Sequence, residues 1–164
     1  MIDWKGQRGM TLVELMIASA IMATILLGLT VATYMVVSAT ERGNDTASAL
    51  QDVRNAAYWI SNDAQMATGT DLVEGAEPVD SVTLEWTDSL GDGHTCSYEL
   101  SGSRLQRDYD GSEMTVAWHV ASVDFSISGK LLNYDVESAP PGRWEVAREV
   151  NGKVCLRAET QEPA

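Results

Sequence analysis

The spacing of apolar residues changes twice along this chain. After a short polar opening, residues 15–37 carry no charge and are mostly apolar. As a helix this run of roughly 23 residues is about 35 Å long, enough to cross a hydrocarbon core of about 30 Å with some tilt. Over residues 46–67 the continuous run gives way to spacings of three and four. Leu50, Val53, Ala57, Ile60 and Ala64 describe one apolar stripe, with Gln51, Asp52, Arg54, Asn55 and Asp63 elsewhere, which predicts an amphipathic helix. Gly43-Asn44-Asp45-Thr46 combines a poor helix former with good N-caps, so a kink or a recapping is expected there.

From about Ser81 the period becomes two. Val82, Leu84 and Trp86 alternate with Ser81, Thr83 and Glu85, and Gly91-Asp92-Gly93 then separates them from residues 95–100, a hairpin signal. Further strands are predicted over 104–108, 114–119, 121–127 and 132–136. Pro140-Pro141-Gly142 precedes a last hairpin, in which Trp144, Val146 and Val150 turn through Asn151-Gly152 into Val154 and Leu156. An antiparallel sheet with one face to cover matches a helix with one apolar stripe. The fold class expected is α+β: a long N-terminal helix, membrane-spanning and then amphipathic, packed on an antiparallel β-sheet headpiece. Residues 1–9 form a leader, 10–37 the spanning helix, and 38–164 one globular domain that includes the helix 46–67.

Charge sets the topology. Lys5 and Arg8 precede the span and an acidic segment follows it, which by the positive-inside rule places the N-terminus in the cytoplasm and the bulk outside. The formal charge is −13, and removing residues 1–9 moves it one unit further negative. Such a surface repels phosphate backbones, so no direct nucleic-acid partner is expected. The span is too long for the apolar core of a cleaved secretory signal, although Val37-Ser38-Ala39 offers a small-residue site after which a rival cleavage would discard the helix.

At the mouth of the span stands Gly9-Met10-Thr11-Leu12-Val13-Glu14. A short basic leader ending in Gly, then an apolar residue, Thr-Leu-x-Glu and an apolar helix, resembles the signal of the bacterial type IV pilin superfamily. That superfamily spans type IV pilins, competence pseudopilins and the pseudopilins of type II secretion. Met10 stands where phenylalanine is commonest. The resemblance implies that a prepilin peptidase cuts between Gly9 and Met10 and methylates the new Met10 amine. It further implies that the helix is kept for assembly, with Thr11, Leu12 and Glu14 in the assembly signal. Glu14 would meet the Met10 amine of a neighbouring subunit, with other pilins, the peptidase, the inner-membrane assembly platform and the membrane itself as partners. By its position alone, Glu14 is also a carboxylate favoured by the helix dipole, and it forms an i, i+4 pair with Met10. Val31 stands near the place where many major pilins carry a helix-bending proline, which leaves Gly28 and Thr30 as local weak points. The polar cluster Ser61-Asn62-Asp63 before Met66-Ala67 is similar to J-type minor pseudopilins and W-type minor pilins. So are the strand segments Tyr98-Glu99-Leu100, Leu105-Gln106-Arg107 and Val123-Asp124-Phe125.

Candidate chemistry is sparse. His94 and His119 are the only histidines, and no metal-binding or phosphate-cradling motif occurs, so no active site, metal or cofactor is expected. Asp88, Asp92 and Asp110 lie in turns, where calcium binding is the weaker of two readings because turns favour aspartate for backbone reasons. Cys96 and Cys155 form a candidate disulfide in an exported domain. Trp59, Trp86, Trp118 and Trp144 are assigned to packing, and the sequon Asn44-Asp45-Thr46 to chance. Two classes of function remain. One is a structural, minor subunit of a pilus or secretion pseudopilus, in the membrane before assembly and in a periplasmic or surface filament afterwards. The other is a membrane-anchored extracytoplasmic binding or enzyme domain.

Overall fold

The computed structural model describes residues 10–157. They divide into two compact units between Glu41 and Arg42. One helix, α1 (Leu12–Met66), contributes to both. Residues 43–46 stay helical instead of breaking, and the Thr46 hydroxyl donates to the Arg42 carbonyl at 2.8 Å rather than capping a new helix.

In the first unit no helical residue is buried. The window that qualifies α1 as a membrane span contains no buried residue. Its hydroxyls are spent internally: Ser19 donates to Met16 O, Thr24 to Ile21 O, Thr30 to Leu26 O and Thr33 to Leu29 O, at 2.7–2.9 Å. A helix that leaves neither backbone nor hydroxyl groups open is what hydrocarbon requires.

The second unit is the headpiece. A five-stranded antiparallel sheet has the order β1 (Gly69–Thr70), β2 (Ser81–Thr87), β3 (Gly93–Ser101), β4 (Arg104–Tyr109), β5 (Ser112–Ala117). A three-stranded antiparallel sheet follows, β6 (Val120–Ser128), β7 (Leu131–Ser138), β8 (Arg148–Cys155). A single bridge, Val79 to Phe125, links the first sheet's approach to the second sheet. The core gathers Ala56, Ile60, Ala64 and Ala67 from the helical segment with Leu84, Tyr98, Leu105, Phe125, Leu132 and Val136 from the strands. The alternation in the sequence is the alternation of burial: in β2, Val82, Leu84 and Trp86 are buried and Ser81, Glu85 and Thr87 exposed. The α+β architecture expected from periodicity is therefore the one observed, a long N-terminal helix packed against antiparallel sheets.

One expected turn is absent. Asn151-Gly152 lies inside β8, where Gly152 is directly opposite Tyr134. The Tyr134 ring fills the space that a Cβ on residue 152 would need, and its hydroxyl is 2.9 Å from Ser61 Oγ on α1. The glycine therefore serves a cross-strand close approach rather than a reversal.

Candidate functional site

Three places gather polar side chains with defined geometry. At the start of α1, Thr11 and Glu14 cap the helix reciprocally. Glu14 N donates to Thr11 Oγ1 at 3.3 Å, and Thr11 N donates to Glu14 Oε2 at 2.9 Å. The Thr11 hydroxyl adds a second bond to Oε2 at 3.0 Å. This is a capping box, with Thr11 as N-cap and Glu14 at N3, satisfying two backbone donors that would otherwise be orphaned at the membrane boundary. The sequence signal for it is Thr-x-x-Glu before an apolar run. Leu12 is the first helical residue and is exposed, as is Met10. Gly9, Lys5, Arg8 and the rest of the leader lie outside the described residues.

Inside the headpiece, two acids that the stripe placed away from the core point into it. Asp63 is fully buried and receives a bidentate pair from Arg107, Nε to Oδ2 at 2.6 Å and Nη2 to Oδ1 at 2.9 Å. The Tyr98 hydroxyl and the Cys96 thiol also donate to Oδ2. Burial, reinforced by the Asp63 charge, pushes the Cys96 thiol up to about 12, and the same causes raise the Tyr98 phenol, so both stay protonated donors. The Arg107 guanidinium lies 5.0 Å from the ring centres of both Trp59 and Tyr109. About three turns earlier, Asp52 accepts from Trp118 N at 3.1 Å and from Ser138 Oγ at 3.3 Å, and lies 2.9 Å from His119 Nδ1. The two acids fasten the helix to both sheets, because a buried carboxylate is tolerable only with such partners.

The two cysteines of the candidate disulfide, Cys96 and Cys155, lie in different sheets. Both cysteines are free: Cys96 is buried in the five-stranded sheet with its thiol turned to Asp63, whereas Cys155 is exposed in the three-stranded sheet. The turn acids have local duties. Asp88 Oδ1 accepts from Leu90 N at 2.8 Å and Asp92 N at 2.9 Å, shaping the β2–β3 turn. Asp110, at φ 50° in the β4–β5 turn, accepts from Thr95 N at 2.8 Å and faces His94 Nδ1 at 2.7 Å. Asp88 Oδ2 is 3.7 Å from His94 Nε2, and the ring stacks on Tyr109 with centres 5.7 Å apart. The bond to Asp110 holds the His94 imidazole above its ordinary value; the bond from His94 holds Asp110 below its own. Among the described residues, no three or more His, Cys, Asp or Glu come together in a way that could hold a metal ion. An open cleft of about 820 Å³ is bordered by Asp124, Asn133, Asp135 and Lys153. It contains no nucleophile and base in hydrogen-bonding register. Of the tryptophans assigned to packing, Trp86 is buried and Trp59 half-buried, but Trp118 and Trp144 are exposed.

Comparison with known proteins adds one finding at the first of these places. The family model for the prokaryotic N-terminal methylation motif matches residues 4–30. No curated protein matches the chain, and no solved structure does.

Proposed function

For a chain that carries the N-terminal methylation motif of the type IV pilin and pseudopilin superfamily, we propose the role of a structural, minor subunit of a pilus or a type II secretion pseudopilus, similar in style to J-type pseudopilins and W-type pilins. The observation that supports this most is the junction of that motif with a helix long and apolar enough to cross a membrane, whose described residues up to Glu41 include no buried one.

The sequence of events follows from the chemistry of residues 9–14. The precursor is held in the inner membrane, N-in and C-out. In the uncut chain the Met10 nitrogen is an amide; cleavage after Gly9 turns it into an amine, which is then methylated. Processing thus creates the cation that Glu14 of a neighbour can meet. Glu14 is held ready by Thr11, and exchanging an internal cap for an intermolecular ion pair lets the helices join without leaving a carboxylate unpaired in hydrocarbon.

The test is the mature N-terminus. Mass spectrometry of protein recovered from its host should show a chain beginning at methylated Met10, and Gly9→Val should leave the full-length precursor in the membrane, because a residue without a side chain lets the peptidase reach the backbone. An intact Met1 in the wild type would favour the membrane-anchored binding domain. Normal cleavage before Met10 in Gly9→Val would remove the assigned signal.

A further inference from the structure

The two sheets of the headpiece end in edges, and most of these are short, bent or occupied. β1 is two residues long, β5 is joined to β4 through a register shift at Leu105, and the outer side of β6 is bonded to Val79. β8 differs. It runs for eight residues with neither proline nor register shift, and among the described residues no hydrogen bond reaches its outer side. Phe125 spends its N–H and C=O on Val79, at 2.7 and 3.0 Å, so by the alternation of antiparallel pairs Tyr134 turns its own groups to Gly152. Carried along β8, that alternation gives Val150, Gly152 and Val154 to β7 and points the backbone N–H and C=O of Glu149, Asn151 and Lys153 outward. Two surfaces flank this edge. Toward the core a groove of about 370 Å³ lies between β8 and α1, lined by Ala57, Tyr58 and Val150 and with Arg54 as its one charged residue. On the opposite face Glu149 stands directly across from Glu137, and Asp124 across from Asp135. Burial, then the neighbouring Glu149, Asp124 and Glu137, hold the Asp135 carboxyl above its ordinary value. Lys153, across from Asn133, is the one cation that the three strands place on that face.

We propose that β8 accepts an extended segment of a partner protein as a further strand, one that sets a basic residue beside Glu149 and an apolar residue, next to it in sequence, over the groove against α1. The inference concerns the headpiece alone and does not rest on a role in a filament. Outward-facing backbone groups in strand register give an added strand its hydrogen bonds, and the flanking surfaces choose its side chains. Successive side chains of a strand point to opposite faces. The partner residue paired with Glu149 therefore lies on the acidic face, and its neighbour, paired with Val150, lies above the groove. Like charges directly opposite each other are destabilising, and a cation beside Glu149 relieves its opposition to Glu137. Lys153, further along the same face, repels a second cation and so fixes the register. A second copy of β8 fits less well. Paired antiparallel about Asn151 it would bring its Lys153 to Glu149, but it would set Gly152 across from Val150 and leave the groove without a side chain to fill it.

Amide hydrogen exchange of the full chain in a neutral detergent reads the edge directly. In the free chain Val150, Gly152 and Val154 should be protected, while Glu149, Asn151 and Lys153 exchange fast. The probe is a synthetic peptide as long as β8, with valine at alternate positions and one lysine among threonines at the others. At saturation it should slow exchange at Glu149, Asn151 and Lys153 by about tenfold, and the same peptide with its edge-facing amides N-methylated should bind about tenfold more weakly. Glutamate in place of the lysine should weaken binding about fivefold, and Glu149→Lys should reverse that preference. Equal affinity for the three peptides, or no slowing at the three outward amides, overturns the proposal. So does protection of those amides before any peptide is added. Protection lost on dilution would give the edge to a second copy, and protection lost only when residues 158–164, which lie outside the described residues, are removed would give it to the chain's own tail.

Discussion

Residues 12–41 and 42–66 belong to one helix, yet they are held in that conformation by different means. The first length has no buried residue, a capping box at its start and hydroxyls bonded to its own carbonyls. The second has a buried face of Ala49, Val53, Ala56, Ile60 and Ala64, interrupted by Asp52 and Asp63. Small side chains let the sheets come close, and the two acids fix where along the helix they come. The first length is thus specified by what it withholds from its surroundings, the second by what it gives to the sheets. A change in one should leave the other's property intact, and two substitutions test this.

The largest effect on the headpiece is expected from Asp63→Ala. It leaves Arg107 without its bidentate partner and Tyr98 and Cys96 without an acceptor. Removing one member of a buried ion pair costs about 3–5 kcal/mol, a large part of the stability of a domain this size. Thermal unfolding of the detergent-solubilised chain, followed by near-UV circular dichroism, should show a much lower Tm, while leader removal proceeds as in wild type. An unchanged Tm would mean that the cluster is not what joins helix to sheet.

Glu14→Ala is the mirror case. The headpiece should unfold at the wild-type temperature and the leader should still be removed, since the proposed cut lies between Gly9 and Met10. Filament incorporation should fail in competition with wild type, because two charges about 4 Å apart at an effective dielectric near 20 attract by about 4 kcal/mol before desolvation. Equal incorporation would leave Glu14 as a helix cap alone.

Much of the fold was legible because burial repeats with the period of each element. The alternation of Val82, Leu84 and Trp86, or of Val123 and Phe125, follows from a sheet covered on one face, and no other contact had to be known. What escaped reading was set by partners remote in sequence. Asp63 looks like a solvent-facing acid until Arg107, Tyr98 and Cys96 are brought to it from two strands. Asn151-Gly152 is a strong local turn signal, overridden because Tyr134 on β7 needs the room. Trp118 and Trp144 were counted as core because a tryptophan in an alternating pattern usually is. The methylation motif lies at the other extreme: it spans residues 4–30, Gly9 to Glu14 among them, and was legible because it is written along one short stretch of chain.

Gly152→Ala probes that override and should cost about 1–3 kcal/mol, since the new methyl displaces the Tyr134 ring and with it the hydroxyl contact to Ser61. Pairing the change with Tyr134→Phe separates the two parts. If the loss persists, it comes from steric crowding of the ring; if it vanishes, it came from the contact to Ser61. No measurable destabilisation in Gly152→Ala would reinstate Asn151-Gly152 as a tolerant turn site.

The smallest effect is electrostatic and lies at the far turns of the headpiece. His94 faces Asp110 and Asp88 and stacks on Tyr109, with Trp86 alongside, and its folded value is raised, chiefly by the bond to Asp110. Its contribution is therefore complete below the ordinary histidine value of about 6.5 and is lost as pH rises through the folded value. Asp110 and Asp88 are lowered, so theirs is complete above about 3.9 and is lost as pH falls through their folded values. The clasp between the two turns is strongest between those limits, and because these groups are solvent-screened it is modest throughout. Tm measured from pH 5 to pH 8 should decline more steeply in wild type than in His94→Gln, a comparison that cancels His119. An NMR titration should place His94 above an unconstrained histidine in wild type and lower in Asp110→Asn. Parallel Tm profiles, or a His94 that titrates at or below the free value, would show that the two turns keep their places through backbone bonds alone, such as that from Asp110 N to Thr95 O at 3.0 Å.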